Sequence, residues 1–279
     1  ERYKKDVETE PVKPEEFKPG RFAGRCKHYV LMMSYAEQGT RLDLSVAINV
    51  LQRLLDKWDE SCDRRLIYMM QYLWHHWDYV LIGICDTRDV FKMQSLCLPD
   101  SSFGDDPATR KSTNGYVMFM VALHGVSIMP AGWKAVSMSW QAQATKEAEM
   151  AGILRVTKFG MGITRLAELL LNRATIEMST RCDNMPAVRS ILKGGISQDL
   201  RHCRRMGGLS QAAIADFYGC PENDLSWCDG KYYLGDPFTK IVPHLEEMLP
   251  DLGLVAEEGL KKLDGWDKAE EKTAVKSGV

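Results

Sequence analysis

Apolar residues recur at helical spacing in the first third of the chain. Those from Leu42 to Leu55 fall near one helical face, and those from about Asp63 to His76 do the same. A short link joins the two segments, so the pattern predicts an antiparallel helical hairpin. Residues 1–20 are charged and contain three prolines, which predicts an extended arm without a core of its own.

After Trp77 the pattern changes to that of strands. Three runs separated by short turns predict an antiparallel meander, and a long helix and further crossovers follow it. The order strand-strand-strand-helix-strand-helix-helix-strand-helix predicts an α/β fold, with a mixed sheet flanked by helices. The predicted segments are an early strand from Tyr79 to Ile84, meander runs at 94–98, 116–123 and 133–140, a helix at 145–172, a strand at 175–182, helices at 186–192 and 210–218, and a strand at 224–228.

These segments divide the chain into four regions. Residues 1–38 are the predicted arm, and residues 39–90 the helical region. Residues 91–242 are the predicted mixed-sheet domain. Residues 243–279 alternate acidic and apolar positions, which predicts an amphipathic tail.

Composition narrows the classes of partner. The formal net charge is −2 over 279 residues. This charge argues against binding of nucleic-acid phosphates over a large basic surface, but it is compatible with a local basic patch. Such a patch lies at Arg201, His202, Arg204 and Arg205. It is either a phosphate contact or a solvated basic face.

Cysteine usage and apolar runs bear on location. None of the eight cysteines forms a CxxC pair, which favours reduced thiols in an intracellular, reducing compartment without distinguishing cytoplasm, nucleus or organelle. No stretch approaches the ~20 apolar residues of a membrane span, so we expect no membrane partner.

Four acids fall at the ends of predicted elements. Asp100 and Asp183 each end a strand, Glu147 lies in the first turn of the long helix, and Asp236 lies near the last helical segment. If the two strands are neighbours, these carboxylates form a cluster that requires cations. Two Mg²⁺ or Mn²⁺ ions suit such a set and catalyse in-line attack on a phosphodiester. Solvated surface acids are the alternative, since the chain has 38 acidic residues.

Four sequence blocks resemble the ribonuclease H domain of copia-type LTR retrotransposon polyproteins, in the same order. Residues 100–117 resemble its opening, which includes T-R-K-S-T-S-G-Y, and residues 145–149 resemble the S-S-T-E-A-E helix start. Residues 181–188 resemble the C-D-N-x-x-A turn, and residues 234–240 resemble the L-A-D-x-L-T-K ending. Upstream, Leu44–Leu51 and Arg65–Leu73 are similar to the reverse transcriptase tail of that family. The resemblance spans roughly residues 40 to 240.

The resemblance implies a ribonuclease H-like fold with Asp100, Glu147, Asp183 and Asp236 as metal-binding catalytic acids. The implied activity is that of a ribonuclease H-type endonuclease, which hydrolyses the RNA strand of an RNA–DNA hybrid with two Mg²⁺ or Mn²⁺ ions. The 2′-OH groups and groove shape distinguish a hybrid from duplex DNA. Asn184 is either a contact to that strand or a turn-forming residue.

Departures from the family pattern motivate a second hypothesis. Ser102 stands where members often carry an acid, Lys146 replaces a hydroxyl residue, and Pro237 directly follows Asp236. A Y-x-D-D polymerase motif is absent, and the two ends have the character of partner-binding extensions. The alternative is a domesticated, non-catalytic structural subunit of a ribonucleoprotein assembly, such as an organellar ribosome, with protein or RNA subunits as partners.

Overall fold

The computed structural model of the protein describes residues 18–194 and 211–256. No helix within these ranges combines the length and apolar character needed to cross a bilayer. The α-helices are α1 (Cys26–Gly39), α2 (Ser45–Arg53), α3 (Glu60–His75), α4 (Thr145–Leu170), α5 (Met185–Leu192), α6 (Gln211–Tyr218) and α7 (Leu245–Met248). The strands are β1 (Tyr79–Leu81), β2 (Met93–Ser102), β3 (Thr113–Ala122), β4 (Ile128–Ser137), β5 (Met178–Cys182), β6 (Asn223–Trp227) and β7 (Leu254–Ala256).

The main sheet has five strands in the order β4-β3-β2-β5-β6. The pairs β4–β3 and β3–β2 are antiparallel, whereas β2–β5 and β5–β6 are parallel. A parallel neighbour requires a long crossover, and α4 provides the one between the meander and β5. The predicted α/β fold, a meander joined to parallel crossovers, is confirmed.

Both faces of the sheet are buried. On one face, Cys97 and Met118 pack with Val156 of α4. On the other face, Leu98 and Val117 belong to a core that includes residues of the C-terminal segment. The strands alternate between two apolar faces, so β3 is almost continuously hydrophobic.

The predicted helical N-terminal region is present and has its own core, in which Leu51, Trp58 and Leu66 are buried. Polar contacts fix it to the main sheet. The Arg53 guanidinium donates to Asp105 Oδ2 at 3.1 Å, and the Trp133 indole N–H donates to the carbonyl oxygen of Glu37 at 2.9 Å. The region therefore packs against the sheet rather than standing apart from it.

Several elements differ from the sequence expectations. Helix α1 covers Cys26–Gly39, so the C-terminal part of the predicted extended arm (residues 1–38) is helical. The helix predicted at 145–172 is confirmed as α4, which continues through Gly152, Gly160 and Gly162 because close packing compensates for the weak helix propensity of glycine at the first two. The predicted tail contains α7 and the buried strand residue Leu254, which pairs with Leu81 of β1 in a two-stranded sheet.

Candidate metal centre

Asp100 and Asp183 lie on neighbouring parallel strands. Asp100 is near the end of β2, and Asp183 directly follows β5. The pairing runs from Ser95 opposite Met178 to Cys97 opposite Thr180, and the same offset places Asp183 opposite Asp100. Strand order and register therefore bring together two acids that are far apart in sequence.

Asp236 reaches the same place from a short 3₁₀ helix, Asp236–Phe238, that packs on β3. A glycine makes this approach possible: a Cβ atom on Gly115 would lie 2.5 Å from the carbonyl oxygen of Phe238. Gly115 is also the β3 partner of Asp100. Carboxylate oxygens of Asp100, Asp183 and Asp236 all lie within 4.8 Å of one another.

A fourth acid, Glu149, faces this cluster from the first turns of α4. It is only 4% exposed, and its Oε2 atom has no hydrogen-bond partner among the described residues. Its carboxylate lies within 4.8 Å of ligand atoms of Cys182 and Asp183. A buried unpartnered carboxylate oxygen is costly unless a proton or a cation satisfies it.

The start of α4 is held tightly against β2 and β3. The Ser101 hydroxyl and the Asn114 side-chain amide both donate to the carbonyl oxygen of Ala148, each at 2.9 Å. A Cβ atom on Gly152 would lie 2.8 Å from the hydroxyl oxygen of Ser101. These contacts fix the distance of α4 from the sheet and its rotation about its own axis at Glu149.

The structure does not place Glu147, the acid predicted on α4, with the other three. Its carboxylate accepts hydrogen bonds from the Trp140 indole N–H at 2.9 Å and from the backbone N–H of Gln143 at 2.8 Å. These partners are in the loop before α4, so Glu147 fastens that loop to the helix. The physical reason is helical phase, since residues two apart point to different sides of a helix.

Helical phase was also the signal that could have identified Glu149. Gly160 faces the sheet, where an added Cβ would meet Met178 and Cys97. At 100° per residue, Glu149 points within about 20° of Gly160, whereas Glu147 points about 140° away. The sequence block containing both acids did not by itself distinguish them.

Burial, with repulsion among the acids as a smaller contribution, raises the pKa values of three of these carboxyl groups. Burial, followed by the charges of Asp100 and Asp183, raises the pKa of Glu149 to about 9. Burial also raises the pKa of Asp236 to about 6, although Lys240 opposes the shift, and it raises the pKa of Asp183. Groups that resist ionisation in this way are favourable for an added cation.

Thr239 and Lys240, which directly follow the 3₁₀ helix, both contact the acids. The Thr239 hydroxyl donates to Asp100 Oδ2. The Lys240 ammonium lies 2.7 Å from Asp236 Oδ1 and 3.8 Å from Asp100 Oδ2. A protein cation therefore shares the oxygens that a metal ion would use.

Tyr233 connects the two strands that carry Asp100 and Asp183. Its buried hydroxyl lies 2.5 Å from the carbonyl oxygen of Pro99 and 2.7 Å from that of Arg181. It carries one proton, so it donates to one of these oxygens at a time. The contact ties together the backbone immediately before the two acids.

The predicted nucleic-acid contacts fall in two places. Asn184 caps α5, because its side-chain oxygen accepts the backbone N–H of Ala187 at 3.0 Å. This geometry is that of the turn-forming alternative, and a contact to a strand stays a prediction. Arg201, His202, Arg204 and Arg205 lie outside the described residues.

The sequence matches no protein-family model and no curated protein. The structure is similar to ribonuclease H1 from the halophilic archaeon Halobacterium salinarum NRC-1, with 10% identity, a TM-score of 0.29, and coverage of 50% of this chain and 86% of that one. It is also similar to LC11-RNase H1, isolated from compost by a metagenomic approach, with 10% identity, a TM-score of 0.33 and the same coverage. A match to the prototype foamy virus protease-reverse transcriptase has 12% identity and a TM-score of 0.32, and covers 62% of this chain and 22% of that one. Such likenesses concern the fold alone.

Proposed function

We propose that this chain is a retroelement-derived ribonuclease H-like protein that hydrolyses the RNA strand of RNA–DNA hybrids. The observation that carries the proposal is the convergence of Asp100, Asp183 and Asp236 beside the buried carboxylate of Glu149, whose Oε2 atom lacks a partner in the part of the chain that the structure describes. The four sequence blocks around these acids support a copia-type origin.

The donor set fits hard divalent cations. All three acids of the cluster offer carboxylate oxygens within 4.8 Å of one another, which suits Mg²⁺ or Mn²⁺. Asp100, Asp183 and Asp236 would hold the ions, with Glu149 as the fourth carboxylate in place of Glu147. Bound ions would supply an activated water and stabilise the leaving oxygen of the phosphodiester.

The chain's own residues contribute orientation. Asp100 is 3% exposed and is fixed by the Thr239 hydroxyl, so it presents a constrained oxygen to an ion. Asp183 and Asp236 are only partly buried, so the cluster is open toward solvent on their side. A phosphate of the nucleic-acid strand would reach the acids from that side.

A cleavage assay on a labelled RNA–DNA hybrid tests the proposal. We expect Mg²⁺- or Mn²⁺-dependent cleavage by the parent and its loss in Asp183→Asn. Asp216→Asn is the matched control, because Asp216 is exposed on α6 and belongs to neither cluster of potential ligands. Equal cleavage by Asp183→Asn and the parent would exclude this assignment.

A domesticated, non-catalytic role in a ribonucleoprotein assembly, such as an organellar ribosome, is the second candidate. The departures from the family pattern at Ser102, Lys146 and Pro237 favour it. Its signature is stable co-purification with RNA and protein subunits, combined with no hybrid cleavage at any divalent-ion concentration. An intracellular, reducing location belongs to both candidates as a proposal; the described cysteines are free thiols.

A further inference from the structure

Lys240 occupies an unusual position for a surface lysine. Its ammonium lies between two of the clustered acids, 2.7 Å from Asp236 and 3.8 Å from Asp100. Its backbone is anchored too, because its N–H donates to the carbonyl oxygen of Asp236 at 3.1 Å. The side chain is thus attached close to the acids that it contacts.

A tethered cation offsets charge without the entropy cost of binding a free ion. The ammonium is a compact point charge with three donors, so it can serve two carboxylates at once. Its single positive charge offsets only part of the repulsion among Asp100, Asp183 and Asp236. The compensation is therefore partial.

A metal ion at the cluster would need the same oxygens. Asp100 Oδ2 faces both Lys240 and the Thr239 hydroxyl, and Asp236 Oδ1 faces Lys240. An ammonium and a divalent ion at neighbouring positions repel each other at a few ångströms. Either cation disfavours the other.

The Lys240 ammonium can move away from Asp100 and Asp236. Its side chain is 49% exposed, and its flexible four-carbon stem lets the ammonium turn toward solvent while the backbone stays anchored. Movement of one side chain is sufficient to release both acids.

We propose that Lys240 is a built-in counter-ion of the acidic cluster, which a divalent metal ion must displace, so that it sets the metal concentration at which the site loads. This inference rests on the proposed metal site. It assigns to the lysine an autoinhibitory contact whose strength is measurable without any nuclease assay.

Mn²⁺ titration of the full chain, followed by calorimetry and by electron paramagnetic resonance of free Mn²⁺, tests this inference. The variants are Lys240→Met, which removes the charge, and Lys240→Arg, which keeps it. Screening at a half-exposed residue limits the effect, so we expect Lys240→Met to bind Mn²⁺ about tenfold more tightly than the parent. Lys240→Arg should stay closer to the parent.

Lys158→Met is the control for net charge. Lys158 is exposed on α4, nine residues beyond Glu149, and the substitution removes the same charge. We expect Mn²⁺ affinity to be nearly unchanged in this variant.

The outcomes separate the two proposals. Equal or weaker Mn²⁺ binding by Lys240→Met, in a protein whose parent binds Mn²⁺, overturns the role of Lys240 and leaves the metal site intact. Failure of both the parent and Lys240→Met to bind Mn²⁺ overturns the metal site, and the role of Lys240 with it. Binding only by Lys240→Met supports Lys240 as the dominant cation. Unfolding of each variant in EDTA checks that all are folded.

Discussion

Asp100 and Asp183 stand opposite each other at the ends of two adjacent parallel strands. The β2–β5 register fixes this relationship, and the Tyr233 hydroxyl reinforces it from the backbone before each acid. Two carboxylates held in this way cannot move apart to relieve their repulsion. The cost is offset by protonation, by Lys240 or by a metal ion, and each of these alternatives has a measurable consequence.

The two glutamates at the start of α4 should have separable roles. We expect Glu149→Gln to lower hybrid cleavage by about 10- to 100-fold or more, as the loss of a group that tunes a metal site does. Glu147→Gln should retain most of the cleavage and lose about 1 kcal/mol of unfolding free energy, because its carboxylate holds Trp140 and Gln143. Single-turnover cleavage and urea unfolding of both variants measure this. The reverse ranking in the cleavage assay would restore Glu147 as the site residue.

The raised pKa of Glu149 predicts a specific pH dependence. The folded protein holds this proton up to about pH 9, whereas an unfolded glutamate releases it near pH 4.3. The folded state binds more protons between these values, so this group lowers stability as pH rises toward 9. The parent should therefore lose unfolding free energy relative to Glu149→Gln as the pH rises. In EDTA we expect the difference between the two proteins to grow by about 2–4 kcal/mol from pH 5 to pH 8.

Urea unfolding at several pH values measures that difference. Glu222→Gln, at an exposed position before β6, is the matched control and should follow the parent at every pH. If the difference in unfolding free energy between Glu149→Gln and the parent does not change with pH, the pKa of Glu149 is not raised in the folded protein.

Tyr233 and Tyr232 offer a matched pair of tyrosines. Tyr233→Phe removes the buried hydroxyl that lies near the carbonyl oxygens of Pro99 and Arg181. We therefore expect the free energy of unfolding to fall by about 1–3 kcal/mol and Mn²⁺ binding to weaken several-fold. The exposed Tyr232 hydroxyl lies 3.0 Å from the carbonyl oxygen of Glu247 and 3.1 Å from Asp251 Oδ2. Water replaces such exposed contacts, so Tyr232→Phe should change the free energy of unfolding by less than about 0.5 kcal/mol. Thermal unfolding and Mn²⁺ titration compare the two. Equal effects would mean that the strand tie does not position the acids.

Gly115 should control the placement of Asp236. Gly115→Ala forces the new Cβ against the carbonyl oxygen of Phe238. We therefore expect the free energy of unfolding to fall by about 1–3 kcal/mol and Mn²⁺ binding to weaken. Gly162→Ala, in open space on α4, should instead add roughly 0.5–1 kcal/mol of stability. Denaturant unfolding of both variants checks the opposite signs. Unchanged Mn²⁺ affinity in Gly115→Ala would separate Asp236 from the metal site.

Sequence patterns predicted the parts of this fold that depend on local periodicity. Sequence patterns in β2 and β5 identified strands that end near Asp100 and just before Asp183, and the condition that these two strands are neighbours is met. Asp236 was assigned from a resemblance, and the structure explains its position through Gly115. These three acids lie together as expected, although their role in catalysis stays a prediction.

Other features depend on long-range contacts that periodicity does not encode. Strand β7 is three residues long and exists through its pairing with the predicted strand β1, which lies far away in the sequence. Glu149 was not among the predicted acids, because a motif match gives sequence position, whereas the direction of a side chain depends on helical phase relative to the sheet. The contact of Lys240 with Asp100 joins residues of different elements, so no local pattern reveals it.

Crystals soaked in Mn²⁺ test the central claim most directly. Anomalous scattering at the manganese edge should show a peak within about 2.5 Å of oxygens of Asp100, Asp183 and Asp236, with the Lys240 ammonium moved away from both of its acids. The same soak of Asp183→Asn should show a weaker peak or none. Anomalous peaks confined to other surface carboxylates, with the contacts of Lys240 retained, would contradict a metal centre at this cluster.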